Sequence, residues 1–157
     1  MQTVVHTDHA REQWRAGVES RMLVSAGCGA RQLCIFEQWV APGAGAPTHF
    51  HPVEEVLTVL AGEAEVWFGD ERAKLVAGQS MIVPAGQSHG FHNPGEATLH
   101  MHAVLASSEF VAIRADTGET IRRWGEASPE AESPGRPGER RLNPLRRAPR
   151  GSRPRTA

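Results

Sequence analysis

Between residues 21 and 125 the chain alternates short apolar runs with clusters of turn-forming residues. Gly, Pro or Asn flanks each of the runs RQLCIFEQWV, EEVLTVL, AEVWF, QSMIVP and ATLHMHAVL. None of them is long enough and periodic enough for a major helix. Several short strands at regular spacing predict an all-β sandwich or barrel. The stretch AEVWFGDERAKLVAG predicts a hairpin that turns at Gly69 and Asp70.

The segments on either side of this region follow different patterns. Residues 1–20 form an N-terminal extension in which Trp14 and Val18 stand four apart with charges between them, a spacing that predicts one short helix. Residues 126–157 hold six of the eleven prolines and almost no large apolar residues. Such a segment cannot bury enough surface to offset its ordering entropy. We therefore predict a barrel over residues 21–125 followed by a disordered, basic tail rich in Pro and Arg.

Composition narrows the class of protein. The chain has 157 residues, 39% of them hydrophobic, and two cysteines, which are too few for a disulfide framework. No apolar run approaches the roughly 18 residues of a membrane span, and the first residues lack the basic and apolar regions of a signal peptide. These features predict a cytoplasmic protein that does not bind membranes. Residues 1–125 carry a net charge of −5 against +4 in residues 126–157, and an acidic body argues against nucleic acid as a partner.

Metal-ligand side chains are concentrated in THFHPVEEV, residues 48–56. Side chains two apart on a strand share one face, so His49, His51 and Glu55 point the same way in an extended segment while Glu54 does not. His89, after a Pro-Gly turn, is the best candidate for a fourth ligand. Three imidazoles and one carboxylate suit Fe, Mn, Co, Ni, Cu or Zn better than Ca or Mg. Open coordination positions would permit Lewis-acid or redox chemistry, whereas zinc in a closed tetrahedron would be structural.

The four candidate ligands belong to two longer patterns of fixed spacing. Intervals of five, one, three and six residues connect Gly43, His49, His51, Glu55 and Gly62. After a gap of fifteen residues, intervals of five, one, two and three residues connect Gly78, Pro84, Gly86, His89 and Asn93. These patterns match the two cupin motifs, and the chain resembles a small single-domain cupin. The resemblance implies a jelly-roll β-barrel whose metal ligands are His49, His51, Glu55 and His89, with one divalent transition metal (Fe, Mn, Ni, Cu or Zn) per chain.

Alternation along the strands predicts the walls of the site. Leu57 and Val59 continue the inward face of Glu55, Phe91 shares the parity of His89, and Gln38 or Glu37 could also reach the pocket. The residues expected in the core of the next strand are Ala64, Val66 and Phe68. Trp67 falls on the outer face of that strand, and cupins commonly pair through such faces, so we predict a homodimer.

His100 and His102 share one face of a late strand. If that face is inward, one of them could act as a base near the metal. If it is outward, the core is filled instead by Leu99, Met101, Ala103 and Leu105. Together with Glu55, the two histidines are the candidate catalytic residues.

Two classes of function remain. The first is a metal-dependent enzyme acting on a small organic molecule, resembling quercetinase-type dioxygenases, which are oxidoreductases, or cupins with isomerase or cyclase chemistry. Cupin lyases that depend on pocket tyrosines are disfavoured because the chain has no Tyr. The second is a non-catalytic cupin module that binds a small molecule or a metal. A storage cupin is disfavoured because the chain carries a single short barrel.

Overall fold

The computed structural model describes residues 1–125, and the predicted disordered tail lies outside them. Twelve strands form two six-stranded antiparallel sheets. In spatial order the first sheet contains β1 (Glu12–Arg15), β2 (Val18–Val24), β3 (Cys34–Val40), β10 (Leu99–Leu105), β5 (Glu55–Ala61) and β8 (Ser80–Val83). The second contains β12 (Thr120–Arg123), β11 (Phe110–Arg114), β4 (Gly45–Phe50), β9 (His89–His92), β6 (Glu63–Phe68) and β7 (Glu71–Val76). The predicted all-β jelly-roll barrel is confirmed.

Helical structure in residues 1–125 is limited to two single turns of 3-10 helix, His6–Asp8 and Ala26–Cys28. Neither approaches the length and apolar character that a membrane-crossing helix needs.

The core lies between the two sheets and follows the alternation of the strands. On β10 the buried side chains are Leu99, Met101, Ala103 and Leu105, each no more than 2% exposed. On β6 the buried pair is Ala64 and Val66. The predicted hairpin is also present: β6 and β7 pair up to Phe68 and Glu71 across Gly69, whose φ of +56° suits a tight turn.

The predicted helix around Trp14 and Val18 is wrong, because this segment is a β-hairpin. β1 and β2 pair through a turn at Gly17, whose φ is +72°, and β2 pairs with β3. Val18 and Ser20 are fully buried while Glu19 between them is not, as expected of a strand. Positions four apart share a face in a strand as well as in a helix, and here tertiary packing decides between the two. The Trp14 ring lies in an aromatic cluster, 4.9 Å from the Phe110 ring.

Trp67 is partly covered by its own chain. It faces Gly90 across the β6–β9 pair, and a Cβ atom built on Gly90 would lie 2.4 Å from the Trp67 ring. The indole Nε1 donates a hydrogen bond to Thr48 Oγ1 at 2.9 Å. Trp67 is therefore only partly exposed, and the homodimer stays a prediction.

Candidate metal centre

The four predicted ligands meet inside the barrel, and they come from both sheets. His49 lies on β4, His51 directly follows β4, and His89 opens β9, so the second sheet supplies three imidazoles. Glu55 opens β5 of the first sheet and supplies the carboxylate. His51, Glu55 and His89 are 1%, 2% and 0% exposed. We call these four side chains the cage.

Backbone carbonyls fix the tautomer of each histidine in the cage. The Nδ1 atoms of His49, His51 and His89 lie 2.8, 2.6 and 3.0 Å from the carbonyl oxygens of Pro47, Val111 and Gln87. A carbonyl oxygen can only accept a hydrogen bond, so each Nδ1 carries a proton. In the neutral rings each Nε2 then presents a lone pair, which is the form that binds metals.

The three imidazoles form a compact group, and the Glu55 carboxylate lies beside two of them. The ligand atoms of the three histidines lie within 4.8 Å of one another. Glu55 Oε2 lies 3.0 Å from His89 Nε2 and 3.5 Å from His51 Nε2. His51 Nε2 is buried and makes no hydrogen bond within residues 1–125, which is costly for a polar atom. Facing lone pairs repel unless a cation or a proton lies between them, so the donor set fits a divalent transition metal.

The electrostatics of the cage favour the protonation states that a metal needs. Burial lowers the pKa of His49 to about 4, helped by the neighbouring imidazoles of His89 and His51. Burial alone would raise the pKa of the Glu55 carboxyl. The contact with His89, which is a hydrogen bond when a proton takes the place of a metal on Nε2, and the positive charge of protonated imidazoles hold that pKa below its usual value. Neutral His49 and ionised Glu55 are therefore the states expected at neutral pH.

Two connected spaces lie above the cage. A cavity of about 20 Å³ touches all four cage residues and is walled by Gln38, Phe91 and Phe110, among others; it has room for one ion or one water. A larger cavity of about 320 Å³ shares Trp14, Arg15, His49 and Phe110 with it. Small molecules can therefore approach the cage from one side.

Of the candidate catalytic residues, the structure places Glu55 in the cage but not His100 or His102. Both histidines lie on the outer face of β10, because the inward positions of that strand are filled by the apolar set. His100 stacks on Trp39, with ring centroids 4.8 Å apart, and its Nε2 lies 2.6 Å from Glu37 Oε2. The inward orientation that would have let His100 or His102 act as a base near the metal is therefore not found.

Trp14 and Arg15 line the entrance but are not among the predicted site residues, because the pattern around Trp14 and Val18 predicted a helix there. The burial of β2 is irregular, with Val18, Ser20 and Leu23 inside, and Gly17, at the turn between the two strands, is the sequence signal that favours a hairpin over a helix. Sequence also left open whether Glu37 or Gln38 faces inward. The structure places Gln38 at the small cavity, with its Nε2 donating to Ser20 Oγ at 3.0 Å.

Comparison with known proteins identifies one matching family model and one similar protein. A family model described as "Cupin domain" matches residues 36–105, a range that holds both motifs. Protein SchB of Streptomyces halstedii is 34% identical over 91 residues, which are 56% of this chain and 66% of that protein. The chain therefore spans just under two thirds of that relative.

Solved structures share the fold. The polyketide cyclase RemF from Streptomyces resistomycificus superposes with a TM-score of 0.60 at 27% identity, over 67% of this chain and 78% of that one. An RmlC-like cupin from Shewanella frigidimarina superposes with a TM-score of 0.59 at 22% identity, over 68% of this chain and 91% of that one. The second likeness bears on the fold alone.

Proposed function

This chain belongs to the cupin superfamily, and on that premise we propose that it is a metal-dependent enzyme acting on a small organic molecule, with ring closure as its reaction. One observation carries the proposal: the ligand atoms of three imidazoles lie within 4.8 Å of one another, a Glu55 oxygen lies 3.0 Å from His89 Nε2, and His49 also lines a cavity large enough for a small molecule. Fixed donors in a partly dry pocket are the arrangement expected of a catalytic metal centre.

His49, His51, His89 and Glu55 would hold one divalent transition metal, with Fe, Mn, Ni, Cu and Zn as the candidates. Bound there, such an ion supplies a Lewis acid that polarises a carbonyl oxygen. The hydrogen bonds from each Nδ1 to the backbone keep the imidazoles oriented towards it.

The remaining residues would bind the substrate and move its protons. Trp14 and Phe110 wall both spaces above the cage and would exclude water from the organic body. The Glu55 carboxylate is ionised, and its oxygen that does not bind the metal is the candidate acceptor for a proton released from the substrate. This assignment gives Glu55 a catalytic role beside its role as a ligand.

Likeness to a polyketide cyclase at 27% identity favours cyclisation. A dioxygenase of the quercetinase type is the second candidate, because a nitrogen-rich donor set also suits redox-active iron, nickel or copper. A non-catalytic binding module would keep the cage without turnover. The homodimer and the cytoplasmic location are further predictions of the sequence that the proposal does not need.

Elemental mass spectrometry of the purified, untagged protein tests the proposal. We expect about one transition metal per chain, lost in His51→Ala and in His89→Ala. His92→Ala is the matched control, because His92 lies on the same strand β9 but outside the cage, and it should keep the metal. If wild-type protein takes up no metal even after reconstitution, the metalloenzyme proposal fails.

Turnover separates the candidate reactions. Incubating the metal-loaded protein with poly-β-carbonyl test compounds, with and without dioxygen, distinguishes them. Ring closure that continues without dioxygen supports the cyclase, and a strict need for dioxygen supports the dioxygenase. Binding that alters no compound supports the module.

A further inference from the structure

We propose that Arg15 is a specificity-determining residue that binds an anionic oxygen group, such as a carboxylate, on a flat apolar substrate. The inference rests on the proposed function and names the substrate class of the same site. It follows from the position of Arg15, its bonding and the charges around it.

Arg15 lies where the two spaces above the cage meet. Together with His49 it lines both the 20 Å³ cavity at the cage and the 320 Å³ cavity outside. Its Nη1 donates a hydrogen bond to the Gly45 carbonyl at 2.9 Å, which anchors the guanidinium to β4. A ligand held by Arg15 would therefore have its neighbouring atoms close to the cage.

Arg15 keeps most of its hydrogen-bonding capacity free. A guanidinium has five N–H donors, and within residues 1–125 the Gly45 carbonyl is the acceptor that Arg15 uses. No carboxylate in this part of the chain forms an ion pair with it. A planar fork of free donors matches the geometry of a carboxylate.

The other charged groups of the cavity do not neutralise Arg15. Arg114 forms a two-point ion pair with Asp116, and Arg123 lies 3.4 Å from a Glu12 oxygen. Glu119 is the one acidic residue in the lining of the larger cavity, against three arginines. Burial lowers the pKa of Arg15, and the positive charges of Arg123 and Arg114 lower it further. An anion at this point would relieve an unfavourable accumulation of positive charge.

The shape of the larger cavity defines the rest of the ligand. Its apolar lining consists of Trp14, Pro47, Phe110, Ala112 and Ile121. A volume of about 320 Å³ lies at the small end of ligand sites. Aromatic walls favour a flat conjugated body. A conjugated carboxylate of one to three rings fits these limits.

Calorimetric binding of 2-naphthoate and of its neutral counterpart 2-naphthamide, both to metal-free and to zinc-loaded protein at pH 8, tests the inference. We expect naphthoate to bind roughly 10- to 100-fold more tightly than naphthamide, as charge-assisted hydrogen bonds predict. Arg15→Met should abolish the preference and Arg15→Lys should retain part of it. Arg122→Met is the matched control, because Arg122 pairs with Glu109 on the surface, and it should change neither affinity.

Zinc uptake by the same variants separates this inference from the proposed function. Arg15→Met should keep its zinc and stay folded, with a melting temperature lowered only by the loss of the bond to Gly45. Equal binding of the two probes by wild-type protein, a preference unchanged in Arg15→Met, or no naphthoate binding at millimolar concentration would overturn the inference even with zinc bound. Failure to take up zinc, with the preference for naphthoate intact in metal-free protein, would overturn the metal site and support the role of Arg15.

Discussion

His49 and His89 are direct cross-strand partners in the β4–β9 pair, with ring centroids 4.4 Å apart. Strand pairing therefore places two of the three imidazoles side by side. A slip of one residue in this register would turn one ring away from the barrel interior. The pairing is irregular between Ala46 and His49, so the cage begins where the regular ladder changes. The geometry of the cage is thus a property of the sheet as well as of the individual side chains.

Metal binding should stabilise the fold. An ion that binds only the folded chain adds about 2.7 kcal/mol to the free energy of unfolding at a hundredfold excess over Kd. We expect zinc or manganese to raise the melting temperature of wild-type protein in thermal unfolding. His51→Ala should show no such shift, and an equal shift in that variant would place the bound metal elsewhere.

Acid should destabilise the metal-free protein. The pKa of His49 is about 4 in the folded chain and ordinary, about 6.5, in the unfolded chain. Between these values the unfolded chain binds the extra proton, so the free energy of unfolding falls as pH falls, by up to about 3 kcal/mol. The lowered pKa of Glu55 acts in the same direction at lower pH.

Urea denaturation of chelator-treated protein between pH 4 and 7 measures this dependence. The free energy of unfolding should depend less strongly on pH in His49→Gln. A free energy of unfolding that does not change over this range in wild-type protein would contradict the lowered pKa of His49.

Replacing His100 or His102, the histidines on the outer face of β10, should leave metal binding by the cage intact. His100 contacts Glu37 and Trp39 on the outer face of the first sheet. We expect His100→Ala and His102→Ala to bind as much metal as wild-type protein and to keep its activity. Losing the His100–Glu37 contact should cost about 1 kcal/mol of unfolding free energy. Loss of metal or activity in properly folded variants would restore a functional role for these residues.

Gly90 should not tolerate a side chain. A Cβ atom there would lie 2.4 Å from the Trp67 ring and 2.8 Å from the Ala46 carbonyl oxygen. Gly90→Ala should therefore destabilise the protein by about 1–3 kcal/mol, measured by chemical denaturation. The cost should be smaller in a Trp67→Ala background, where part of the clash is absent. Gly27→Ala is the control, since its nearest neighbour would be 3.5 Å away, and it should change stability little.

The two cysteines should differ in reactivity. Burial raises the pKa of Cys34 to about 12, so almost no thiolate forms at neutral pH. Cys28 is only partly buried. A thiol-specific chromogenic reagent should therefore modify Cys28 and spare Cys34 in the native protein, and should modify both after denaturation. Rapid reaction of native Cys28→Ser protein would contradict the burial of Cys34.

The sequence predicts the cage more completely than the cavity around it. His49, His51, Glu55 and His89 fall within two short segments at fixed spacing. Strand parity accounts for His49 and His51, whereas Glu55 reaches the cage because the chain crosses to the other sheet after His51. Arg15 is different, because only the pairing of β1 through β2 and β3, and its bond to Gly45, bring it to the cage. Such long-range contacts leave no periodic mark in the sequence.

His100 and His102 show a second limit of what the sequence can predict. Alternation along β10 establishes that they share a face, but it does not say which face is inside. The choice follows from comparing the apolar content of the two faces, and the structure places the more apolar set inside. Trp14 and Val18 show a third limit, because a separation of four residues is compatible with both a helix and a strand.

The entrance to the cage is built by two hairpins far apart in sequence, β1–β2 and β11–β12, and Trp124 Nε1 donates a hydrogen bond to Glu12 Oε1 at 3.1 Å to join them. The cage itself is encoded between residues 49 and 89. The contact of β11 with the donor His51 is made by the backbone carbonyl of Val111, so side-chain substitutions in the hairpins can accumulate while that contact is kept. Exchanging both hairpins between related chains is then a direct way to transplant ligand preference. This separation makes the barrel a modular scaffold for evolution and for protein engineering.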